Sequence, residues 1–328
     1  MKIAMFLCLL SASGLLTGCV FQNIAESRDM KEFPPPGKLV VVNDHLIHIN
    51  CQGKGSPVVI IEQGLYGTSW HWENVQRQMA KKTKVCGYDR PGLGYSEPVD
   101  KLIPAREVAK NLNQLLKVGH LVNENILLVG WSAGGLYARE YYNHYPQRVV
   151  GMVLVDSSHD QQGPSEISFR MVLHKYLSPL GIARVSGLVK KEIVSSGLPE
   201  ELIPRQVALY SRSHVAAAML NESKAFNADL SRHQAPRNLG DLPLLVISRG
   251  KPVEEYLGVS PENIEEARAS RAKWMKLQNE LAALSTNSKH IIATKSGHNI
   301  HVDQPDLLVS EINGFIEALR LERKTSDL

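Results

Sequence analysis

The sequence predicts an α/β fold: a mostly parallel sheet of about eight strands, flanked by helices, with a helical insertion after the sixth strand. Three observations carry this. From residue 39 onward, short apolar runs alternate with longer helical stretches, the pattern of a parallel sheet covered on both faces. Several runs are continuously apolar, as in strands buried on both sides. One segment, 157–240, is free of strand pattern and is interrupted by Pro164, Pro179, Pro199, Pro204 and Pro236. It is too long for an ordinary loop, so it reads as a helical cap.

Taken in order, Leu39–Val42 and Leu46–Asn50 form two strands around the tight turn at Asn43-Asp44. Val58–Ile61 is a buried strand ending at Gly64, and Lys84–Tyr88, Ile126–Val129 and Val149–Val155 follow. Leu244–Ile247 and Ile291–Ala293 complete the set after the insertion. The intervening helices are expected over Trp72–Lys81, Ala105–Val118, Leu136–Tyr145, Pro261–Ser285 and Pro305–Leu319. The core is therefore expected over 38–156 and 241–320, with 157–240 as the cap.

Composition narrows the function classes. With 43% apolar and 21% charged residues, the 328-residue chain is too apolar for disorder and too polar for a bundle of membrane spans. Thirty-seven basic against 33 acidic residues leave a net charge of +4 without a long single-sign run, which argues against nucleic acid as a partner. Four cysteines are too few for a disulfide scaffold, and no Cys-x-x-Cys or His-x-x-x-His spacing suggests a metal site.

The N-terminus bears on compartment. Lys2 precedes the apolar run Ile3–Leu10, short for a membrane span but suited to a signal-peptide core. Leu16-Thr17-Gly18-Cys19 resembles the lipobox of bacterial lipoproteins, in which the cysteine is acylated and becomes the mature N-terminus. That resemblance implies a signal peptide over 1–18, lipidated Cys19, and an exported protein held on a membrane. Val20 in place of Asp favours the outer membrane. Residues 19–37, with Pro34-Pro35-Pro36-Gly37, are expected to form an extended tether.

Chemistry centres on Gly130-Trp131-Ser132-Ala133-Gly134, between an apolar strand and a helical stretch. Serine on a sharp strand-to-helix turn needs close backbone approach, which the flanking glycines allow. The turn also aims a helix N-terminus at developing negative charge. Serine is a weak nucleophile and needs a base. Of 12 histidines, His298, in Ser296-Gly297-His298 near the C-terminus, is the preferred candidate, with His301 its nearest rival.

With Tyr88–Ser96 (Tyr-Asp-Arg-Pro-Gly-Leu-Gly-Tyr-Ser), Gln63-Gly64-Leu65 and Asp303-Gln304-Pro305-Asp306, these motifs make residues 39–320 resemble the α/β-hydrolase superfamily. The resemblance implies Ser132 as nucleophile, His298 as base, and the backbone amides of Leu65 and Ala133 as the oxyanion hole. Gln63 stands where the family usually has His. The usual acid position, after the seventh strand, holds no Asp, only Glu254 and Glu255 further along the loop. Asp156, at the tip of the sixth strand, resembles the acid of relatives such as certain haloalkane dehalogenases and is preferred, with Glu254 or Glu255 as the alternative. Asp89 and Arg90 are expected to position their neighbours rather than react. The aromatics of Trp70-His71-Trp72 fit pocket lining and ordinary packing equally. The family's strand order implies that Cys51 and Cys86 meet across an antiparallel pair and form a disulfide in an exported protein.

The activity so implied is hydrolysis of a carboxylic ester or related acyl bond in a small-molecule substrate, requiring no cofactor. The same constellation serves amide, lactone, thioester and carbon–carbon bond hydrolysis, and a non-catalytic ligand-binding member is the alternative of another class.

Overall fold

The computed structural model describes residues 2–232, 238–256 and 259–326, with side chains described over 14–322. Eight strands form one sheet: β1 (Lys38–Val42), β2 (His45–Gln52), β3 (Val58–Glu62), β4 (Val85–Tyr88), β5 (Ile126–Trp131), β6 (Val149–Val155), β7 (Leu244–Arg249) and β8 (Ser288–Ala293). Their order is β1-β2-β4-β3-β5-β6-β7-β8. The pairs β1–β2 and β2–β4 are antiparallel and the rest parallel.

Helices follow in chain order: α1 (Lys2–Glu32), α2 (Glu73–Met79), α3 (Ala105–Val118), α4 (Ala133–His144), α5 (Phe169–Leu177), α6 (Ile182–Val185), α7 (Leu188–Ser195), α8 (Ile203–Tyr210), α9 (Val215–Arg232), α10 (Ile264–Ala282), α11 (Ile300–Asp303) and α12 (Pro305–Ser326). The strand period of two sorts the core into two layers. Val58, Ile60, Ile126, Leu128, Met152 and Leu154 pack with α3, α4 and α10 on one face. Their alternates Val59, Ile61, Leu127, Val129, Val153 and Val155 pack with α2 and α12 on the other. Central strands are apolar throughout because neither face meets water.

Helices α5–α9 occupy the chain between β6 and β7, as the strand-free segment predicts. Phe226 and Leu230 of α9 seat this cap on Ala105, Val108, Leu136 and Tyr137 of α3 and α4, while Ala183, Val189, Ile193 and Leu198 form a small core within it. Cys51 and Cys86 are register partners across β2–β4 and are joined by a disulfide.

The N-terminal segment differs from the extended tether expected for 19–37. Its helix continues to Glu32, and only 33–37 lie outside regular structure before β1, where Pro34–Pro36 cannot remain helical. Gln22, Glu26 and Asp29, spaced for one helix face, hold it to the cap. Gln22 is fully buried and donates to the Ser211 carbonyl at 2.6 Å. Glu26 accepts from the Ser213 amide at 2.6 Å, and Asp29 pairs with Arg184 at 2.6 Å. Because this protein-facing stripe is polar, it left no apolar periodicity to read. Among the described residues, no helix is long and apolar enough to cross a membrane.

Candidate active site

Ser132 sits at the β5–α4 junction with φ 54° and ψ −125°, a left-handed conformation that costs a non-glycine residue energy. The surrounding backbone holds it: its amide donates to the Val155 carbonyl (3.1 Å), and its carbonyl accepts from Gly135 (3.0 Å) and Ser158 (2.8 Å). The motif glycines are sterically required. A β-carbon on Gly130 would lie 2.6 Å from the Gly134 oxygen, and one on Gly134 would lie 2.0 Å from the Glu62 oxygen.

Across the sheet edge, the loop after β8 brings His298 Nε2 to 3.0 Å from Ser132 Oγ. On its other side, His298 Nδ1–H donates to Asp156 Oδ2 at 2.6 Å. These partners assign the imidazole tautomer that can accept the serine proton. Asp156 is fully buried at the tip of β6. Its Oδ1 accepts from the Arg249 amide (3.1 Å) and from Trp274 Nε1 (2.8 Å), and Arg249 Nη1 lies 3.4 Å from Oδ2. Burial pushes this carboxyl upward, but the His298 hydrogen bond and charge, Arg249 and Trp274 together outweigh burial and hold it below the ordinary carboxylate range. The group therefore stays ionised near neutrality. Trp131 Nε1 donates to the His298 carbonyl at 3.0 Å, fixing the histidine loop against the strand that leads into Ser132.

The other candidates lie elsewhere. Glu254 pairs at the surface with Arg268 (2.8 Å), and Glu255 is exposed. His301 is buried, stacked on Trp72 at 4.8 Å and edge-on to Trp131 at 4.5 Å. Burial holds it well below the usual histidine range, as a packing residue. Within the aromatic loop, Trp72 is core. Trp70 donates to the Leu202 carbonyl and His71 meets Gln206 at 3.0 Å, so both join the loop to the cap.

Gly64 touches Ser132: a β-carbon there would lie 3.1 Å from Ser132 Cβ. Leu65, next along, is thus beside Ser132, while Ala133 opens α4, whose first-turn amides have no acceptor within the helix. Gln63 is buried, and among the described residues its side-chain amide has no hydrogen-bond partner.

This loop is clamped from two sides. Arg90, nearly buried, donates to the Gln63 carbonyl (2.8 Å), the Gly64 carbonyl (2.6 Å) and Glu62 (2.9 Å). Its Nε reaches Glu222 on α9 at 2.6 Å, and the second Glu222 oxygen accepts from the Tyr66 amide at 2.5 Å. Tyr210 donates its hydroxyl to the Tyr66 carbonyl, and the Tyr66 hydroxyl meets Ser223. Tyr66 has φ 63°, a conformation these contacts stabilise. Asp89, with its oxygens on the Ser69 and Tyr95 amides and on buried His48, braces the neighbouring turn. Sequence reading found Arg90 as a positioning residue but missed Glu222, Tyr66 and Tyr210, which carry no motif; a lone Glu on a cap helix has no local signal.

Residues 57–172 match the family model for the alpha/beta hydrolase fold. An AB hydrolase superfamily protein of Gibberella zeae is 26% identical over 284 residues, covering 80% of this chain and 87% of that protein. Among solved structures, a thermophilic esterase from Thermogutta terrifontis superposes with a TM-score of 0.57 at 18% identity, covering 86% of this chain and 97% of the esterase. An epoxide hydrolase from Vigna radiata gives 0.61 at 16%, covering 86% and 97%. These neighbours differ in chemistry, so the fold does not select the reaction. The family model matched over 57–172 and the eight-stranded architecture shared with these structures together give this chain the alpha/beta hydrolase fold.

Proposed function

We propose that the protein is a serine hydrolase that cleaves a carboxylic ester, or a related acyl bond, through an acyl-enzyme on Ser132. The observation that carries the reading is the continuous chain Ser132 Oγ–His298 Nε2 at 3.0 Å and His298 Nδ1–Asp156 Oδ2 at 2.6 Å. As Ser132 Oγ bonds to the acyl carbon, its proton passes to His298 Nε2, and Asp156 stabilises the resulting imidazolium. The amides of Leu65 and Ala133 receive the oxyanion, each donor worth about 3 kcal/mol at the transition state. The carbonyl re-forms, the bond to the alcohol oxygen breaks, and His298 returns its proton to that oxygen. A water then repeats the sequence in reverse, giving up a proton to His298 and releasing the acid and free Ser132. Serine at the elbow, rather than Asp, favours this route over the alkyl-enzyme chemistry of epoxide opening.

The lipobox Leu16–Cys19 supports the further reading that the protein is exported and anchored through lipidated Cys19, with Val20 favouring the outer membrane. The test of the catalytic proposal is turnover of a panel of acyl esters, thioesters, lactones and amides by wild type and by Ser132→Ala. Ester turnover abolished in the variant supports it. Equal turnover in both overturns it.

A further inference from the structure

Two helical stripes define α1. Gln22, Glu26 and Asp29 lie one turn apart and bind the cap through polar bonds. Val20 and Ile24 lie one turn apart on another face and are exposed, at 50% and 65%. A surface helix in water has the reverse arrangement, apolar stripe inward and polar stripe outward. The same inversion continues on the cap. Helix α1 packs on the turn joining α5 to α6, so closely that a β-carbon on Gly181 would lie 2.7 Å from the Phe21 ring. On α5, Phe169, Leu173 and Tyr176 again share helical spacing and are exposed, and Val185 on α6 is 69% exposed. Most large apolar side chains exposed among the described residues lie on α1 and α5–α7.

We infer that this face is a membrane-docking surface whose occupant is the lipid bilayer, so that the cap side of the active site opens against the membrane. The inference rests on reading Cys19 as the lipidated residue. As the mature N-terminus, Cys19 immediately precedes Val20 on α1, so its acyl chains would enter the bilayer at the start of this helix. Charge agrees: with Arg184 paired to Asp29 of α1, α5–α7 still carry Arg170, Lys175, Lys190 and Lys191 against a single acidic residue, Glu192. Apolar side chains interleaved with basic ones match an anionic lipid interface. The cap that would rest on the lipid is also the element that holds the oxyanion loop through Glu222 and Tyr210. An acyl substrate partitioned into the bilayer would then meet the site without crossing bulk water.

The test uses the lipidated full-length protein in phosphatidylethanolamine–phosphatidylglycerol vesicles. Cys51 and Cys86 are paired and Cys19 is acylated, so an added cysteine is the reactive thiol of the mature protein. Nitroxide labels are placed through Ile24→Cys, Leu173→Cys and Val185→Cys, with Val122→Cys as an exposed control away from the cap. The expected result is that the first three collide preferentially with bilayer-dissolved oxygen and the control with a water-soluble nickel chelate. Four labels equally open to the chelate on protein that stays with the vesicles would mean anchoring through Cys19 alone, and would overturn the inference. Shielding that persists in detergent and grows with protein concentration would make a second copy the occupant and would overturn it as well. Protein that leaves the vesicles removes its premise and overturns it too. A second arm separates it from the hydrolase reading. Leu173→Asp with Val185→Asp should lower turnover of a vesicle-borne ester about tenfold while sparing a water-soluble one. Equal loss on both esters counts against the inference, whereas a wild type inactive on both counts against the hydrolase reading and leaves the label result decisive.

Discussion

Glu222→Gln is the substitution that asks most of the clamp on the Gln63–Tyr66 loop, which the proposed mechanism uses as its oxyanion hole. The wild-type carboxylate accepts two short bonds, from Arg90 Nε at 2.6 Å and from the Tyr66 amide at 2.5 Å. Glutamine has one acceptor oxygen, so its amide group must turn a donor toward one of these donors, and that bond is lost. A hydrogen bond to a charged group is worth about 1.5–3 kcal/mol. Arg90 keeps Glu62 at 2.9 Å and the two loop carbonyls, so it is not left as a bare buried charge. If about 2 kcal/mol of this loss falls on the position of the neighbouring Leu65 amide, kcat drops about 30-fold with KM little changed. Steady-state kinetics on a soluble ester, alongside thermal unfolding, measures this split. A kcat within about threefold of wild type together with a lowered melting temperature would refute the reasoning and leave Glu222 a purely structural contact.

Three further outcomes are expected. Asp156→Asn removes the acceptor that fixes the His298 tautomer and should lower kcat about 10⁴-fold, read from ester hydrolysis, while Glu254→Gln should leave activity near wild type. Burial drives His71 down to about 4, so the folded state keeps it neutral where the unfolded chain takes up a proton. Its contribution is therefore present above about pH 6.5 and is lost as pH falls toward 4, up to about 3 kcal/mol, and urea unfolding of His71→Gln should show a flatter acid limb than wild type. Replacing both Cys51 and Cys86 by Ala opens a loop with a sequence separation of 35, which a chain-entropy account values at about 4 kcal/mol, seen as a lowered melting temperature that reductant no longer affects.

The sheet was legible because its central strands are apolar on both faces. Val58–Ile61 and Ile126–Val129 admit no other reading once glycine follows them. Ser132 was legible because its strained turn demands glycine on both sides, which leaves a sequence trace. Asp156 could be placed only by resemblance, since a buried carboxylate at a strand tip looks locally like any other Asp; its significance comes from Trp274, Arg249 and His298, remote in sequence. The helix to Glu32 was hidden by the very feature that docks it. Pattern reading looks for an apolar buried stripe, and here the buried stripe is Gln22, Glu26 and Asp29.

The most direct test of the account is intact and peptide mass spectrometry after exposure to a fluorophosphonate, which phosphonylates a serine only when a neighbouring base and an oxyanion hole activate it. One adduct on the Ser132 peptide, absent from a folded Ser132→Ala and strongly slowed in Asp156→Asn, is the result predicted. A folded wild type that takes up no probe, or takes it up at another residue, would contradict the claim that Ser132, His298 and Asp156 act together as an acyl-transfer centre.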